Sequence, residues 1–262
     1  MSKSKKSWIN LVFLILTLAI NTLGAIGLIN GYTQKQISDM YITLITPGPS
    51  TFSIWGVIYT LLLISMIVMI VKKNDTYYQK AIDEISTLFR ISCLLNIVWI
   101  IMFSYVLVEI SSLFILGFVI TLALLGIKLL NLREGRRWLL PLSFGLYSGW
   151  LFIATVVNFA AALVKLQWNG FGLSPEIWGT IMLSLAILLL FIVLLRLRNA
   201  AFPLPVAWAY LGIYQFLKSD VGFSGAYSVL QTVAIAGMAI LVIIAVVQFI
   251  LNGFSLLPRE QK

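Results

Sequence analysis

The sequence contains no histidine, a single cysteine and few charged residues for its length. Histidine is the commonest ligand of zinc and haem iron and the usual general base, so its absence argues against several enzyme classes. The one cysteine, Cys93, lies in an apolar segment, which excludes a disulfide within the chain and a cysteine-based metal cluster. Charged residues make up 10% of the chain, against about 25% in an ordinary soluble domain. A water-soluble fold is therefore not expected.

Hydrophobic residues account for 61% of the 262 residues and recur in long apolar stretches. A helix of about 20 residues rises about 30 Å, which is the thickness of the hydrocarbon core of a bilayer. The pattern therefore predicts an all-α integral membrane protein with about eight transmembrane helices. The predicted segments are 8–30, 52–71, 87–107, 111–131, 138–164, 177–197, 201–218 and 228–252. The seventh has Pro203 and Pro205 in its first turn, which leaves a tilted or re-entrant segment open.

Basic residues are distributed unequally between the two sides that eight crossings define. Three of them, Lys35, Lys165 and Lys218, fall on one side, and the other fifteen fall on the opposite side. Because basic loops stay in the cytoplasm, this predicts a multi-pass protein of the plasma membrane with cytoplasmic N- and C-termini. The net charge of +9 is then explained by the excess of basic residues on the cytoplasmic side of the lipid bilayer, and no nucleic-acid partner is expected. The fifteen are Lys3, Lys5, Lys6, Lys72, Lys73, Lys80, Arg90, Lys128, Arg133, Arg136, Arg137, Arg196, Arg198, Arg259 and Lys262.

None of the nine acidic residues lies near the centre of a predicted span. Proton-coupled transporters and ion pumps need ionisable groups in mid-membrane, so active coupling is disfavoured. A facilitator that moves an uncharged or amphipathic small molecule stays open as an alternative.

Two connectors between the predicted spans have distinct compositions. Residues 31–51 form the longest external connection and end in turn-forming residues, which suits a loop that folds over a cavity mouth. Residues 72–86 are charged and polar, and this pattern predicts a solvated cytoplasmic connector.

Aromatic and amide side chains recur at helical spacing on three of the predicted spans. Residues three or four apart share one face of a helix, so each set forms a stripe. Core packing is the simpler interpretation for each tryptophan alone, and helix–helix hydrogen bonding competes with ligand contact for the asparagines. Tryptophans at the ends of segments are explained as interfacial anchors: Trp8, Trp138, Trp168 and Trp178. The candidate ligand-binding residues are Phe52, Trp55, Tyr59, Asn96, Trp99, Phe103, Tyr147, Trp150, Ala154 and Asn158.

The stripes resemble, in order along the chain, motifs of the translocator protein and tryptophan-rich sensory protein family, also called TspO/MBR. In that family the second helix has a Pro-rich start followed by Phe, Trp and Tyr. The third carries Leu-Asn-x-x-Trp-x-x-x-Phe, and the fifth carries Trp, Ala-Thr and Asn at four-residue steps. The matching residues are Pro47, Pro49, Phe52, Trp55 and Tyr59, then Leu95, Asn96, Trp99 and Phe103, then Trp150, Ala154, Thr155 and Asn158.

The resemblance covers about residues 8–165 and is to the long bacterial branch of the family with extra C-terminal helices. It implies a five-helix ligand-binding bundle at 1–165, followed by a three-helix C-terminal membrane extension at 166–262. It further implies a cavity for a porphyrin, a haem-like tetrapyrrole or a sterol-like molecule, and assembly as a homodimer. Without histidine we expect recognition of the macrocycle rather than of its metal, with no metal site and no required cofactor.

The sequence therefore favours a membrane-embedded binding or sensory protein for a hydrophobic ligand, with the facilitator as the alternative. Some members of the family are reported to degrade porphyrins by chemistry attributed to tryptophan. The sequence offers no nucleophile–base pair, no metal-ligand cluster and no nucleotide-binding loop, so we do not expect an enzyme.

Overall fold

The computed structural model describes residues 2–132 and 137–258, which form α-helices, two short 3₁₀ turns and no strand. The all-α fold predicted from the apolar segments is confirmed. The α-helices are α1 (Lys3–Ala25), α2 (Gln34–Met40), α3 (Ile54–Val71), α4 (Thr76–Ser104), α5 (Val108–Asn131), α6 (Leu139–Lys165), α7 (Pro175–Leu197), α8 (Pro203–Lys218) and α9 (Ser228–Leu251). The 3₁₀ turns are Pro49–Ser53 and Gly170–Gly172.

Seven helices in the described residues have the length and apolar composition that crossing a membrane requires. They are α1, α3 with the 3₁₀ turn before it, α4, α5, α6, α7 and α9. The remaining predicted span, 201–218, forms α8, whose 16 residues rise about 24 Å, less than the hydrocarbon thickness. A membrane-spanning bundle with helices beyond the first five is thus confirmed, and α8 is the short member among the predicted spans.

Ion pairs stand at both ends of the bundle. At one end, where α1, α4 and α6 begin, Nη2 of Arg137 lies 2.9 Å from Oδ2 of Asp75. At the opposite end, Nζ of Lys165 lies 2.7 Å from Oε2 of Glu109. We name these the basic end and the mouth end. Four of the basic residues assigned above to the cytoplasmic side lie outside the described residues: Arg133, Arg136, Arg259 and Lys262.

The prediction that 72–86 is a solvated connector is wrong for most of that range. α4 begins at Thr76, and the side chain of Asp75 caps it by accepting a 3.0 Å hydrogen bond from the Tyr77 N–H. The polar residues that suggested a loop lie on an outward face, while Ala81, Ile82 and other apolar residues of the same turns are buried. With 29 residues, α4 rises about 44 Å and extends beyond the hydrocarbon core.

The short helix α8 begins inside the bundle rather than at the basic end. The carbonyl oxygen of Phe202, just before α8, would lie 2.1 Å from a Cβ added to Gly149. Gly149 stands about 15 Å along α6 from its first residue. Pro203 suits the first position of a helix because the missing N–H needs no partner there. From this point α8 runs toward the mouth end.

The helices of the first part of the chain enclose the candidate site. α4 packs along α1 and α5, α5 packs along α6, and α3 closes the side between α1 and α6. α8 packs against α6 and α9, and α7 packs against α9, so the last three helices lie against one face of the bundle. The division into a bundle at 1–165 and an extension at 166–262 stays a prediction.

Candidate functional site

The three sequence stripes face one another in the bundle. α3 runs toward the basic end while α4 and α6 run toward the mouth end, so equivalent positions meet in layers. Trp55, Trp99 and Trp150 come from three different helices and lie in the middle layer. The centroid of the Trp55 ring is 6.4 Å from that of Trp99 and 6.0 Å from that of Trp150.

Trp55 is the centre of this aromatic cluster. Its ring stacks on Tyr59 with centroids 4.9 Å apart and an interplanar angle of 20°. It meets Trp150 edge to face, at 84°, and Tyr147 at 73°. Phe52, one turn nearer the mouth, also packs edge to face on Trp150. Offset and edge-to-face arrangements suit the charge distribution of aromatic rings, so the rings of this wall stabilise one another.

Below the tryptophans, four polar side chains form a chain of three hydrogen bonds. Nδ2 of Asn21 donates to Oδ1 of Asn96 at 2.7 Å, and the Tyr59 hydroxyl donates to Oδ1 of Asn21 at 3.0 Å. Nδ2 of Asn96 donates to the Tyr147 hydroxyl oxygen at 3.0 Å. Because these groups satisfy one another, the network forms a stable polar floor in an apolar bundle.

Above the floor, seven of the ten predicted residues line a cavity of about 410 Å³. This volume lies in the range of small-molecule sites, which are mostly apolar with a few polar groups. The remaining three, Tyr59, Asn96 and Tyr147, belong to the floor network and are not among the lining residues. Contact between any of them and a ligand stays a prediction. The seven are Phe52, Trp55, Trp99, Phe103, Trp150, Ala154 and Asn158.

The connector between α1 and α3 forms the mouth of the cavity, and its helix α2 contributes polar side chains. Gln34, Lys35 and Ser38 line the cavity from α2. α2 is held by a capping box in which Thr33 and Gln36 exchange hydrogen bonds. Lys35 is ion-paired with Asp39 and is the one charged residue among the lining side chains of the described chain.

Two hydrogen-bond donors at the cavity lack partners. Nε1 of Trp150 and Nε2 of Gln34 are both buried and make no hydrogen bond. Nε1 of Trp99, by contrast, donates to Oδ1 of Asn158 at 3.3 Å. An unsatisfied buried donor carries a free-energy cost, so these two groups gain most from an acceptor that approaches them.

Several residues of the site were not named from the sequence. Asn21 lies in the first span. An amide that faces lipid leaves its hydrogen-bonding groups without partners, so Asn96 and Asn158 are expected to face the bundle interior, and the same argument would have found Asn21. Gln34 carries no such signal because it lies in a connector. Ala209 lines the cavity from α8. Nothing in the sequence links this small residue to the site, whose nearest predicted residue in the chain, Asn158, is 51 residues away.

A family model described as TSPO-like protein matches residues 7–247. The chain belongs to the TSPO-like family. Membership places this TSPO-like chain among membrane-embedded binding or transport proteins and confirms the resemblance drawn from the stripes. The match extends beyond α6 into the last three helices. No curated protein and no solved structure matches the chain.

The TSPO-like chain has a second cavity, of about 530 Å³, lined in part by residues 42–45 of the connector between α1 and α3 and by the start of α7. Trp168 and Trp178, which the sequence suggested as interfacial anchors, line it with ring centroids 4.8 Å apart. Nε1 of Trp178 donates to the Gly170 carbonyl oxygen at 2.6 Å. The described residues contain no group of three or more acidic or cysteine side chains placed to hold a metal ion.

Proposed function

We propose that this TSPO-like protein binds a flat hydrophobic molecule, of tetrapyrrole-like or sterol-like size, in the cavity beneath α2. The observation that carries the proposal is the convergence of Trp55, Trp99 and Trp150, from three helices, on one uncharged wall. Flat rings stack favourably on indole faces, and apolar ligand surface is well accommodated by such a cavity.

The polar mouth favours a tetrapyrrole over a sterol. A carboxylated edge of a tetrapyrrole would meet Lys35, Gln34 and Ser38 while its macrocycle lies against the tryptophans. A sterol has one hydroxyl and no anionic group, so it would engage fewer of these polar side chains than a carboxylated edge does. Recognition of this kind suits a binding or sensory protein, and it needs no metal ligand from the chain.

Binding is tested by titrating purified protein with protoporphyrin while following tryptophan fluorescence. A double variant, Trp55→Ala with Trp150→Ala, is expected to weaken binding by more than about tenfold, because two stacking surfaces are lost. The matched control is Trp8→Ala with Trp138→Ala, which removes two exposed indoles and leaves the same number of fluorophores. Equal affinity of the wild type and the Trp55/Trp150 variant would contradict the site.

A facilitator is the second candidate, and the start of α8 inside the bundle favours it. Short helices that begin near the middle of a membrane are typical of transporter sites, and α8 starts about 15 Å along α6. Uptake of uncharged and amphipathic solutes into proteoliposomes tests this function. Flux no greater than in empty vesicles would exclude it for the solutes measured.

We also infer that the protein is not an enzyme. The support is the lack of histidine in the sequence and a cavity lining whose one charged residue in the described chain, Lys35, is ion-paired with Asp39. Illumination of the porphyrin-loaded protein is therefore expected to give the same products with the wild type and with Trp55→Phe. Product formation that disappears in Trp55→Phe would contradict this inference.

We further infer a plasma-membrane location with the basic end in the cytoplasm. Lys3, Lys6 and Arg137 stand at that end, in agreement with the rule that basic loops stay inside. A phosphatase or fluorescent reporter fused to the C-terminus distinguishes the two orientations. The family resemblance also implies that the protein assembles as a homodimer. Light scattering of the detergent-purified protein tests this assembly.

A further inference from the structure

The segment that frames the cavity mouth is attached to the last three helices. We call residues 42–53 the strap. The strap's Gly48 N–H donates to the Gly212 carbonyl oxygen of α8 at 3.2 Å. Nε1 of Trp208, also in α8, donates to the Thr51 carbonyl oxygen at 2.9 Å. Strap residue Ile45 lies against α7, where a Cβ added to Gly179 would be 3.6 Å from its Cγ2. The strap also lines the cavity, through Pro47, Pro49 and Phe52.

The strap and α8 approach so closely that a glycine is required between them. A Cβ added to Gly212 would lie 1.9 Å from Oγ1 of Thr51, and the whole Thr51 residue is 1% exposed. Small residues allow backbones to come together in membrane proteins, which favours close packing and interhelical hydrogen bonds. The Gly212 carbonyl oxygen is thereby placed within reach of the strap.

α8 is itself held firmly by its neighbours. The Tyr210 hydroxyl donates to the Leu183 carbonyl oxygen of α7 at 2.6 Å. The Tyr210 ring is fully buried, and a Cβ added to Gly237 of α9 would lie 2.6 Å from its Cε1. On the other side, the turn before α8 packs on Gly149 of α6. Because α8 is fixed by contacts with α6, α7 and α9, it is a rigid support for the strap.

We propose that α8 is a clamp that holds the strap over the cavity, with Trp208 and Gly212 as positioning residues that set access to the site. Ala209, adjacent to Trp208, lines the cavity, so α8 both closes and shapes it. The C-terminal helices are thereby part of the binding site rather than a separate module. The clamp is inferred from the contacts between the strap and α8 and does not depend on the proposed function. Only the identity of the ligand rests on that function.

The clamp is tested without any ligand by hydrogen–deuterium exchange of the strap amides in the full-length protein. Trp208→Phe keeps an aromatic ring but loses the hydrogen bond to Thr51. Exchange of the Gly48 and Thr51 amides is expected to accelerate about two- to tenfold, the range that the loss of one net hydrogen bond produces. The matched control, Trp178→Phe, loses an indole-to-carbonyl bond at the second cavity and should leave Gly48 and Thr51 exchange unchanged.

Access is measured separately by thiol labelling. A reporter, Ala154→Cys, is placed on the cavity wall in a Cys93→Ser background and reacted with a membrane-permeant maleimide. Gly212→Ala is expected to speed labelling several-fold because it displaces the strap. Gly117→Ala, where the new methyl group would lie 3.8 Å from Leu95, is the matched control.

The two measurements separate the clamp from the proposed function. Unchanged strap exchange in Trp208→Phe, or unchanged labelling in Gly212→Ala, with the global melting temperature preserved, would overturn the clamp. Faster exchange and faster labelling support it even when protoporphyrin fails to bind the wild type. That failure would overturn the proposed ligand class alone.

Discussion

Nδ2 of Asn21 lies 2.7 Å from Oδ1 of Asn96, and this hydrogen bond joins α1 to α4 directly beneath the tryptophan layer. The same two side chains hold the hydroxyls of Tyr59 and Tyr147. The floor of the cavity is therefore a mutual arrangement of four polar groups from four helices. Its formation explains why amides occur so deep in apolar spans.

Asn96→Leu is expected to lower the free energy of unfolding by about 1 to 3 kcal/mol, because Asn21 and Tyr147 lose their buried partner. Thermal melting of the purified protein measures this effect. The matched control is Asn30→Leu, which removes an exposed amide whose one bond, to the Ser104 carbonyl oxygen, is long at 3.4 Å. Equal destabilisation by the two variants would show that the floor network has no special role.

Much of this arrangement follows from the sequence. The helical spacing around Trp55, Trp99 and Trp150 predicts that each stripe lies on one face of its helix. The structure brings these three helix faces together. Asn96 is expected to face the bundle interior because an amide in contact with lipid would leave its hydrogen-bonding groups without partners. The sequence does not reveal that Asn96 lies in the floor and Asn158 on the cavity wall, because that depends on the relative depth of neighbouring helices.

Other features depend on contacts that no local pattern encodes. The start of α4 looks like a connector because charged residues interrupt its apolar residues, yet Asp75 caps a helix there. The contact between Gly212 and Thr51 joins segments that are far apart in the chain, and a single glycine in an apolar helix usually indicates nothing more than close packing. Only the three-dimensional fold shows which backbone it approaches.

The ion pair between Asp75 and Arg137 is expected to make the protein sensitive to acid. Removal of surrounding water alone would raise the pKa of the Asp75 carboxyl. Hydrogen bonds from the Tyr78 N–H and from Arg137, with the Arg137 charge, outweigh this and hold the pKa below its ordinary value of 3.8. A lowered pKa stabilises the fold above the ordinary value, and this contribution is lost as the pH falls through the lower, folded-state value.

Asp75→Asn retains a good helix cap but removes the charge that faces Arg137. We expect the wild type to melt at a higher temperature than this variant at neutral pH. The difference should shrink as the pH falls below the ordinary pKa of Asp75 and vanish once the pH has passed through the lower, folded-state pKa. Melting curves recorded from pH 7 down to about pH 2 measure it. A difference that persists at the lowest pH would contradict the electrostatic explanation.

Gln34 and Gln36 lie on the same short helix and are predicted to respond oppositely to substitution. Nε2 of Gln34 is a buried donor without a partner, so Gln34→Met removes an unsatisfied group and should leave the stability of the free protein unchanged or raised. Gln36→Met instead breaks the capping box, in which Oε1 of Gln36 accepts the Thr33 N–H at 2.8 Å. The melting temperature is therefore expected to be unchanged or higher in Gln34→Met and lower in Gln36→Met.

If a carboxylated ligand uses the Gln34 donor, Gln34→Met should also weaken its binding relative to a non-carboxylated analogue. Titration with protoporphyrin and with its dimethyl ester separates this effect from general loss of affinity. Equal weakening for both compounds would place the carboxylate elsewhere, and a stability loss in Gln34→Met would show that the donor is satisfied in solution.

Ala209 is predicted to control the size of the cavity from outside the first five membrane helices. It is 1% exposed, lines the cavity and lies on α8, which its neighbours hold in place. Ala209→Phe adds a ring to a space of about 410 Å³, and we expect it to weaken protoporphyrin binding by at least about tenfold. The matched control is Ala239→Phe on the exposed face of α9, which should bind as the wild type does. Unimpaired binding in Ala209→Phe, with the fold intact by melting, would mean that the ligand does not reach the wall formed by α8.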